Sequence, residues 1–435
     1  MVQDLSVYRN FNPSYTTIYP RLHTLTCGMI QPPSPSDIDS SSDNDNDSHK
    51  DEKGLTPIGD DPAELVALNL SLLHITLVRL DGSLFSALWK AISQLPRLKT
   101  LRLLSVSIDS ETVDAEALWE ACANAEKLYI LGSVFAAING IAAHLISHRI
   151  RFLHVRAIKR EGEGSDSNLK QLELIRRCPK LEELVWRVDS EYDSHVTELF
   201  VEDIAQGRWP ALERLSFGYN MADEQLEPII NRIRVIVKLD MSSTGLGPLS
   251  FQTLIGRHCN VIQELSLQGC SHVTSAMIQE LLCSCPFLKV FRGDEIIAKD
   301  IVNGEPWACL SIKVLHVYIS FAAREQDLQH KVFECLSKLS QLQDFSIRDP
   351  RVSSVNMCQN SLDFRLKSGL GVLETLRNLR RIDWQHTLQT FEEDDIRWML
   401  RNWKQLEYAH GCMGDVVNRH AHIIRMLQLR GVQTF

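Results

Sequence analysis

A curved α/β solenoid, with short parallel strands on its concave side and helices on its convex side, is the fold this sequence predicts. Three observations predict it. The phrase Pro-x-Leu-x-x-Leu-x-Leu, or a close variant, recurs along most of the chain. It reads Pro96-x-Leu98-x-x-Leu101-x-Leu103, Cys178-Pro179-x-Leu181-x-x-Leu184-x-Trp186, Trp209-Pro210-x-Leu212-x-x-Leu215-x-Phe217 and Cys259-x-x-Ile262-x-x-Leu265-x-Leu267. The first apolar residue of each phrase, its anchor, returns in most cases every 24 to 31 residues, a period that marks stacked units of one supersecondary motif. Apolar residues at helical spacing follow the phrases, as in Leu84, Leu88, Ile92 and Leu95, or Ile278, Leu281, Leu282 and Cys285.

The anchors run Leu22, Leu72, Leu98, Leu128, Phe152, Leu181, Leu212, Ile236, Ile262, Leu288, Ile312, Leu342, Leu379 and Leu406. Side chains alternate along a strand, so anchor, anchor+3 and anchor+5 point into the solenoid while anchor+2, +4 and +6 point out. A unit of this kind, a leucine-rich repeat, cannot bury its own apolar edge, and neighbours must stack. Fourteen parallel strands about 4.8 Å apart span roughly 60 Å, room for a folded partner rather than a metabolite. Two spacings are long: Leu22 to Leu72 contains an acidic insertion, and Leu342 to Leu379 contains a loop from Asp349 to Asn360. The organisation expected is an N-terminal segment with a first repeat-like strand (1–30), a disordered Ser/Asp-rich insertion (31–61), the repeat array (62–410) and a C-terminal capping helix (411–435). Trp384, Trp398, Trp403 and the apolar series Val416, Ile423, Ile424 and Leu427 read as that cap, which hides the last apolar edge.

The net charge of −9 is uneven. Residues 31–61 hold nine acids against Lys50 and Lys53, which leaves the rest of the chain at −2. A near-neutral body without a basic stripe points away from nucleic acid as the ligand. No apolar run of about 18 residues suggests a membrane span, and Met1 to Tyr19 lacks the basic start and apolar centre of a secretory signal. The eleven cysteines then belong to a reducing compartment, cytosol or nucleus. Cys178, Cys259, Cys285 and Cys309 each stand three residues before an anchor, where Leu95, Trp209, Leu339, Leu376 and Trp403 stand in other units, so cysteine serves there as a small buried apolar residue.

Cys-Pro-x-Leu-x-x-Leu, with Leu265-Ser-Leu267-Gln-Gly-Cys270-Ser-His-Val-Thr274 at the end of the fourth phrase and beyond it, resembles the cysteine-containing leucine-rich repeats of F-box proteins. The tail, from Leu362 to Leu370 and through Leu379-Arg-Arg-Ile-Asp-Trp384 to Trp398, Trp403 and Leu406, is similar to a fungal branch of that group. The resemblance covers about residues 62–435 and implies that the repeats hold a client for a cullin-type (SCF) ubiquitin ligase, docked to its adaptor by an F-box. It also implies that Asn220 and Cys270, at anchor+8, cap backbone groups of the turn. Here the chain departs from the family. Met1 to Tyr19 is too short for an F-box, and Asp61-Pro62-Ala63-Glu64-Leu65, which resembles an F-box opening, leads straight into the repeat strand Leu72-Leu-His-Ile75-Thr-Leu77. An adaptor would then dock only through an F-box encoded upstream. The alternative is a stand-alone scaffold or regulator that sequesters a partner.

The outward strand positions are the candidate binding surface, for a protein client and with the chain monomeric on its own: Arg187, Arg214, Lys238, Asp240, Arg292, His316, Tyr318, Arg348 and Asp383. Interfaces concentrate energy in Arg, Tyr and Trp, which makes Arg187, Arg292, Tyr318 and Arg348 the expected anchors of a client. Ser34, Ser36, Ser40 and Ser42 each have an acid three residues on and are candidate phosphorylation sites. His410, Cys412, His420 and His422 have metal-ligand chemistry, but His420 and His422, two apart on an expected helix, face away from each other. No phosphate-cradling loop, dinucleotide-binding glycine pattern, Gly-x-Ser-x-Gly elbow or His-Glu-x-x-His occurs. The expectation is a binding protein without catalytic residues, cofactor or metal.

Overall fold

A computed structural model describes residues 4–8, 22–28, 62–79, 86–108, 115–132, 134–135, 146–157, 166–188, 194–218, 221–322, 326–348, 360–385, 387, 389–411 and 417–434. The chain forms two compact units, Met1–Val185 and Trp186–Phe435. The acidic insertion, the serines Ser34, Ser36, Ser40 and Ser42, the loop 349–359, Asn220 and Cys412 lie outside the described residues.

In the first unit the strands are β1 (Asp4–Tyr8), β2 (Thr24–Gly28), β3 (His74–Val78), β4 (Thr100–Leu104), β5 (Ser107–Ile108), β6 (Lys127–Leu131), β7 (Val134–Phe135) and β8 (Phe152–Ala157), with β9 (Glu183–Val188) straddling the boundary. The helices are α1 (Pro62–Leu68), α2 (Ser86–Ser93), α3 (Ala115–Ala123) and α4 (Asp166–Arg176). Strands β1, β2, β3, β4, β6 and β8 pair in that order, all parallel. Their register stacks Leu25, Ile75, Leu101, Leu128 and Leu153 in one row, and all five are fully buried.

That row corrects two anchors. Leu128 and Leu153 occupy the anchor+3 position, so the anchors of these units are Ala125 and Ile150, both fully buried, rather than Leu128 and Phe152. The turn into the strand agrees. In most units the anchor N–H donates to the carbonyl three residues back, as Leu181 does to Cys178 at 3.2 Å and Leu288 to Cys285 at 3.3 Å. Ala125 N–H donates to Cys122 O at 3.2 Å, and Ile150 N–H to the Ser147 hydroxyl at 3.3 Å. Cys122 therefore holds the buried cysteine position of its unit. A further strand, β1, pairs with β2 ahead of the first phrase, Leu5 opposite Leu25.

The second unit continues with β10 (Arg214–Phe217), β11 (Lys238–Asp240), β12 (Glu264–Ser266), β13 (Val290–Ile297), β14 (Val314–Ser320), β15 (Asp344–Ser346), β16 (Arg381–Asp383), β17 (Tyr408–His410) and β18 (Gln433–Thr434). Its helices are α5 (Ser194–Ala205), α6 (Asp223–Arg232), α7 (Pro248–His258), α8 (Ser275–Ser284), α9 (Ala298–Asn303), α10 (Gln329–Ser337), α11 (Glu393–Asn402) and α12 (Val417–Gln428). The strands from β10 to β18 pair parallel in sequence order. Helix α12 lies within the C-terminal segment, and a strand follows it, so the tail repeats the helix-strand order once more.

One main-chain device recurs throughout. The carbonyl at anchor+1 accepts two N–H groups from the next unit: Val237 O from Gln263 and Glu264 at 2.8 and 3.1 Å, Glu126 O from Arg151 and Phe152 at 2.9 and 3.2 Å. The inward triplets close the core between units; Ile262, Leu265 and Leu267 are at most 1% exposed. At anchor+8, Thr244 and Thr387 each donate a hydroxyl to the carbonyl three residues back, at 2.8 and 2.6 Å, and the Cys270 thiol donates to Met241 O at 3.0 Å. Buried polar atoms there find the partners that burial demands.

Helix α7 shows how one unit is locked to its neighbour. Gly247 is its N-cap and Pro248 its first residue, a position that tolerates the missing N–H. The Asp223 carboxylate of α6 accepts from Gly247, Leu249 and Ser250 N–H at 2.9, 3.0 and 3.0 Å. A Cβ on Gly247 would lie 2.7 Å from that carboxylate, so only glycine allows the approach. Cys259, just past this helix, is half-buried rather than buried, because Ile262 N–H turns back to His258 O at 2.9 Å instead. His258 takes the interior place, fully buried, with Nε2–H donated to Ile230 O at 3.0 Å.

Candidate functional site: the strand face of the second unit

The register turns the outward positions of the second unit into two rows. Anchor+2 contributes Asp344, Arg381 and Tyr408 from β15, β16 and β17. Anchor+4 contributes Arg292, His316, Ser346, Asp383 and His410 from β13 to β17. A hollow of about 760 Å³ opens on these rows, and its lining runs from Ser242 beside β11 to His410 on β17. Six strand spacings would separate those ends by about 29 Å on a flat sheet, so this face of the second unit is concave.

Both carboxylates in the hollow are answered from within it. His316 Nε2–H donates to Asp344 Oδ1 at 3.1 Å. Asp383 takes Gln385 N–H at 2.9 Å and the Ser346 hydroxyl at 3.3 Å, with His410 Nδ1 at 3.6 Å. The guanidiniums are not answered in the same way. Arg381 lies over the Tyr408 ring, 4.4 Å from its centroid, a cation–π contact that holds its plane. Among the described residues neither Arg381 nor Arg348 makes an ion pair.

The remaining expected site residues divide. Arg187 and Asp240 are committed to each other, Nη2 to Oδ2 at 3.4 Å, and Asp240 also accepts from the Ser216 and Ser242 hydroxyls at 3.2 and 2.6 Å. Lys238 stands 4.0 Å from Glu264, beside Arg214 on the next strand. Arg292, His316, Arg348 and Asp383 are all on the face, half-buried or exposed. Tyr318 is not an exposed anchor: it is 5% exposed. The cause is an extra residue in β13 between Arg292 and Glu295, which breaks the register against β14. Bulges disrupt strict alternation, and Val317, Tyr318 and Ile319 are all buried.

Tyr408 and His410 belong to the hollow and were missed as face residues. They sit at anchor+2 and anchor+4 of Leu406, so the repeat phase itself was the signal. Of the cluster of metal-ligand types, His410 and His422 have described side chains, and each faces a carboxylate. His410 pairs with Asp383, and His422 Nε2 lies 3.7 Å from Glu393. No group of three or more His, Cys, Asp or Glu that could hold a metal occurs among the described residues. Burial pushes the thiols of Cys122, Cys285 and Cys309 up to about 12, which keeps them protonated and poor nucleophiles. None of the described helices is long and apolar enough to cross a membrane.

Parallel strands on one side, helices on the other, and buried phrases at this period define a leucine-rich-repeat solenoid. No family model matches the chain, and no curated protein matches it. Among solved structures it is similar to TLR13 in its complex with ssRNA13 (13% identity, TM-score 0.40, over 94% of this chain and 49% of that one). It is also similar to the mouse RP105/MD-1 complex (10% identity, TM-score 0.36, 80% and 68%) and to a Bacteroides fragilis protein (11%, 0.33, 56% and 76%). The chain thus spans about half the length of the first of these.

Proposed function

We propose that this chain is a non-enzymatic scaffold that holds a protein client on the strand face of its second unit. The observation that carries the reading is the hollow in which Asp344 and Asp383 are satisfied internally while Arg348 and Arg381 present guanidiniums without a carboxylate. A planar fork of donors fixed over an aromatic ring is a ready anchor for a partner's side chain. The work done would be placement, not bond-breaking.

The finer form of the proposal is the substrate-recognition part of a cullin-type ubiquitin ligase, in cytosol or nucleus, supported by the resemblance to F-box repeats. A second reading, a stand-alone regulator, is favoured by the segment around Pro62: α1 leads directly into β3, which pairs with β2 as a repeat strand. Phosphorylation of Ser34, Ser36, Ser40 and Ser42 by an acidophilic kinase would add charge to the acidic segment, and phosphosite mapping by mass spectrometry tests it.

The experiment is crosslinking and mass spectrometry on the tagged full chain purified from its native cells, beside an Arg348→Glu/Arg381→Glu variant. A client crosslinked to β14–β17 and lost in the variant supports the scaffold. A cullin and its adaptor in the same eluate support the ligase form; a client without them supports the regulator. Crosslinks confined to other surfaces, unchanged in the variant, would sink the proposal.

A further inference from the structure

The second unit has another outward side, the edge along which each helix runs into the next strand. On four adjacent repeats, those of Ile236, Ile262, Leu288 and Ile312, this edge carries an apolar strip of Val235, Val237, Val261, Phe287 and Leu310. The three valines are half-buried, while Phe287 is 56% and Leu310 49% exposed. The fold does not require apolar residues here, since Gln341, Asn378 and Gln405 hold the place of Phe287 in the following repeats. Large apolar side chains gathered at a surface mark a contact with another molecule. The main chain keeps the repeats side by side: Lys289 N–H donates to Gln263 O and Lys313 N–H to Lys289 O, at 2.8 and 2.7 Å.

Charge on this edge is one-sided. The segments that carry the strip, 232–237, 257–263, 284–289 and 304–313, hold five cations and one carboxylate. Arg232 and Arg257 stand in the last turns of α6 and α7, where the helix C-terminus itself favours a positive charge. Arg234, Lys289 and Lys313 have no such explanation, and all three are exposed. Among the described residues none of the three makes an ion pair; Lys289 Nζ donates to Gln263 Oε1 at 2.7 Å. The nearby carboxylates belong elsewhere. Glu305 sits back against α8, its backbone carbonyl accepting from Gln279 Nε2 at 2.9 Å. Glu264 is on the strand face, 4.0 Å from Lys238. Glu213 stands at the end of the strip, its backbone carbonyl accepting Val237 N–H at 2.8 Å.

We infer that this edge is a docking site for an acidic amphipathic helix of another protein, separate from the hollow. Charge complementarity gives the sign of the partner. Spacing gives its form. Strands about 4.8 Å apart place Val235 and Leu310 about 14 Å apart along the strip, and three turns of helix at about 5.4 Å span about 16 Å. One apolar side chain per turn therefore meets one repeat, and acids beside that stripe reach Arg234, Lys289 and Lys313. An extended segment laid the same way presents a side chain to the strip every ~6.8 Å and falls out of step within two repeats.

The test is fluorescence anisotropy with the full chain and three labelled, hydrocarbon-stapled helical peptides. One carries Leu at every third or fourth position and Glu elsewhere, the second has Gln for Glu, and the third has the Leu and Glu of the first in shuffled order. The first is expected to bind, to weaken as salt rises, and to exceed either control by at least tenfold. Phe287→Ser/Leu310→Ser should weaken it at least tenfold, and Lys289→Gln/Lys313→Gln several-fold, both with an unchanged circular dichroism melt. Arg348→Glu/Arg381→Glu, in the hollow, should leave it within twofold, which separates this inference from the client-binding proposal. No binding of the first peptide, equal binding of the shuffled one, indifference to the Phe287 and Lys289 variants, or equal loss with the hollow variant would overturn it. So would a dimer in light scattering that Phe287→Ser/Leu310→Ser makes monomeric, since a second copy would then cover the strip.

Discussion

In the first unit the Arg102 guanidinium and the Phe152 ring lie against Tyr129 on the outward side of β4, β6 and β8. In the second, Asp240, Asp344 and Asp383 are each answered by a neighbouring Arg, His or Ser. The ladder beneath is the same in both, down to the anchor+1 carbonyl with its two donors. The difference teaches that inward residues fix this architecture and outward ones are free to differ. Stability should therefore respond alike in the two units, and binding should not.

The largest test of that likeness is a core truncation in each. Leu101→Ala and Leu265→Ala remove fully or almost fully buried side chains, and each should cost about 2–5 kcal/mol in urea denaturation. A cost under about 1 kcal/mol in one of them would mean that its unit relaxes where the other cannot. Next in size is the lock between α6 and α7. Asp223→Ala leaves three N–H groups without their acceptor and should cost about 1–2 kcal/mol. Nothing comparable is expected from an exposed carboxylate such as Glu116 in the first unit.

Acid should separate the units further. Burial pulls the pKa of Asp223 upward, but hydrogen bonds from Ser250, Gly247 and Leu249 outweigh it and hold the carboxyl below its ordinary value. Its stabilisation is present above the unfolded-state value near about 4 and is lost as pH falls through the folded one. Burial lowers the pKa of His258 as well, against its bond to Ile230 O. The folded state binds that proton less readily, so stability falls as pH drops below about 6.5 towards the folded value. Hydrogen exchange followed from pH 7 to pH 3 should show the helices around His258 opening first, and His258→Gln should remove that first phase. Retention of the phase in the variant would assign it elsewhere. The smallest effects are expected at exposed ion pairs. Double-mutant cycles at Arg151–Glu182 in the first unit and Lys238–Glu264 in the second should each give about 0–1 kcal/mol.

The repeat was legible wherever Leu, Ile or Phe fills all three inward positions. From Leu181 to Ile312 the phase read from sequence is the phase of the strands. It slipped at Ala125, because a methyl group is a weak apolar signal and Leu128 opened a plausible phrase of its own. It slipped again at Ile150, where neighbouring Phe152 is larger yet points outward to Tyr129. β1 gave no such phrase to read. On the face, Arg187, Asp240, His316 and Asp383 were legible because a period of two fixes which side a residue takes. Tyr318 was not, since a single added residue in β13 shifts pairing without any mark in composition. The cluster around Tyr129 escaped for a related reason. Its members come from three strands and gather only once the register brings Arg102, Tyr129 and Phe152 together.

The carbonyl of Val237, shared by Gln263 and Glu264, has a consequence for how such a chain can change over generations. Along the strands each repeat meets the next through a backbone oxygen that every amino acid possesses. A duplication or loss of one whole repeat in the gene would present the same socket on both sides of the join, so that only the inward side chains would have to match. The array can thus lengthen or shorten in a single genetic event, while the two exposed faces diversify residue by residue at their own pace.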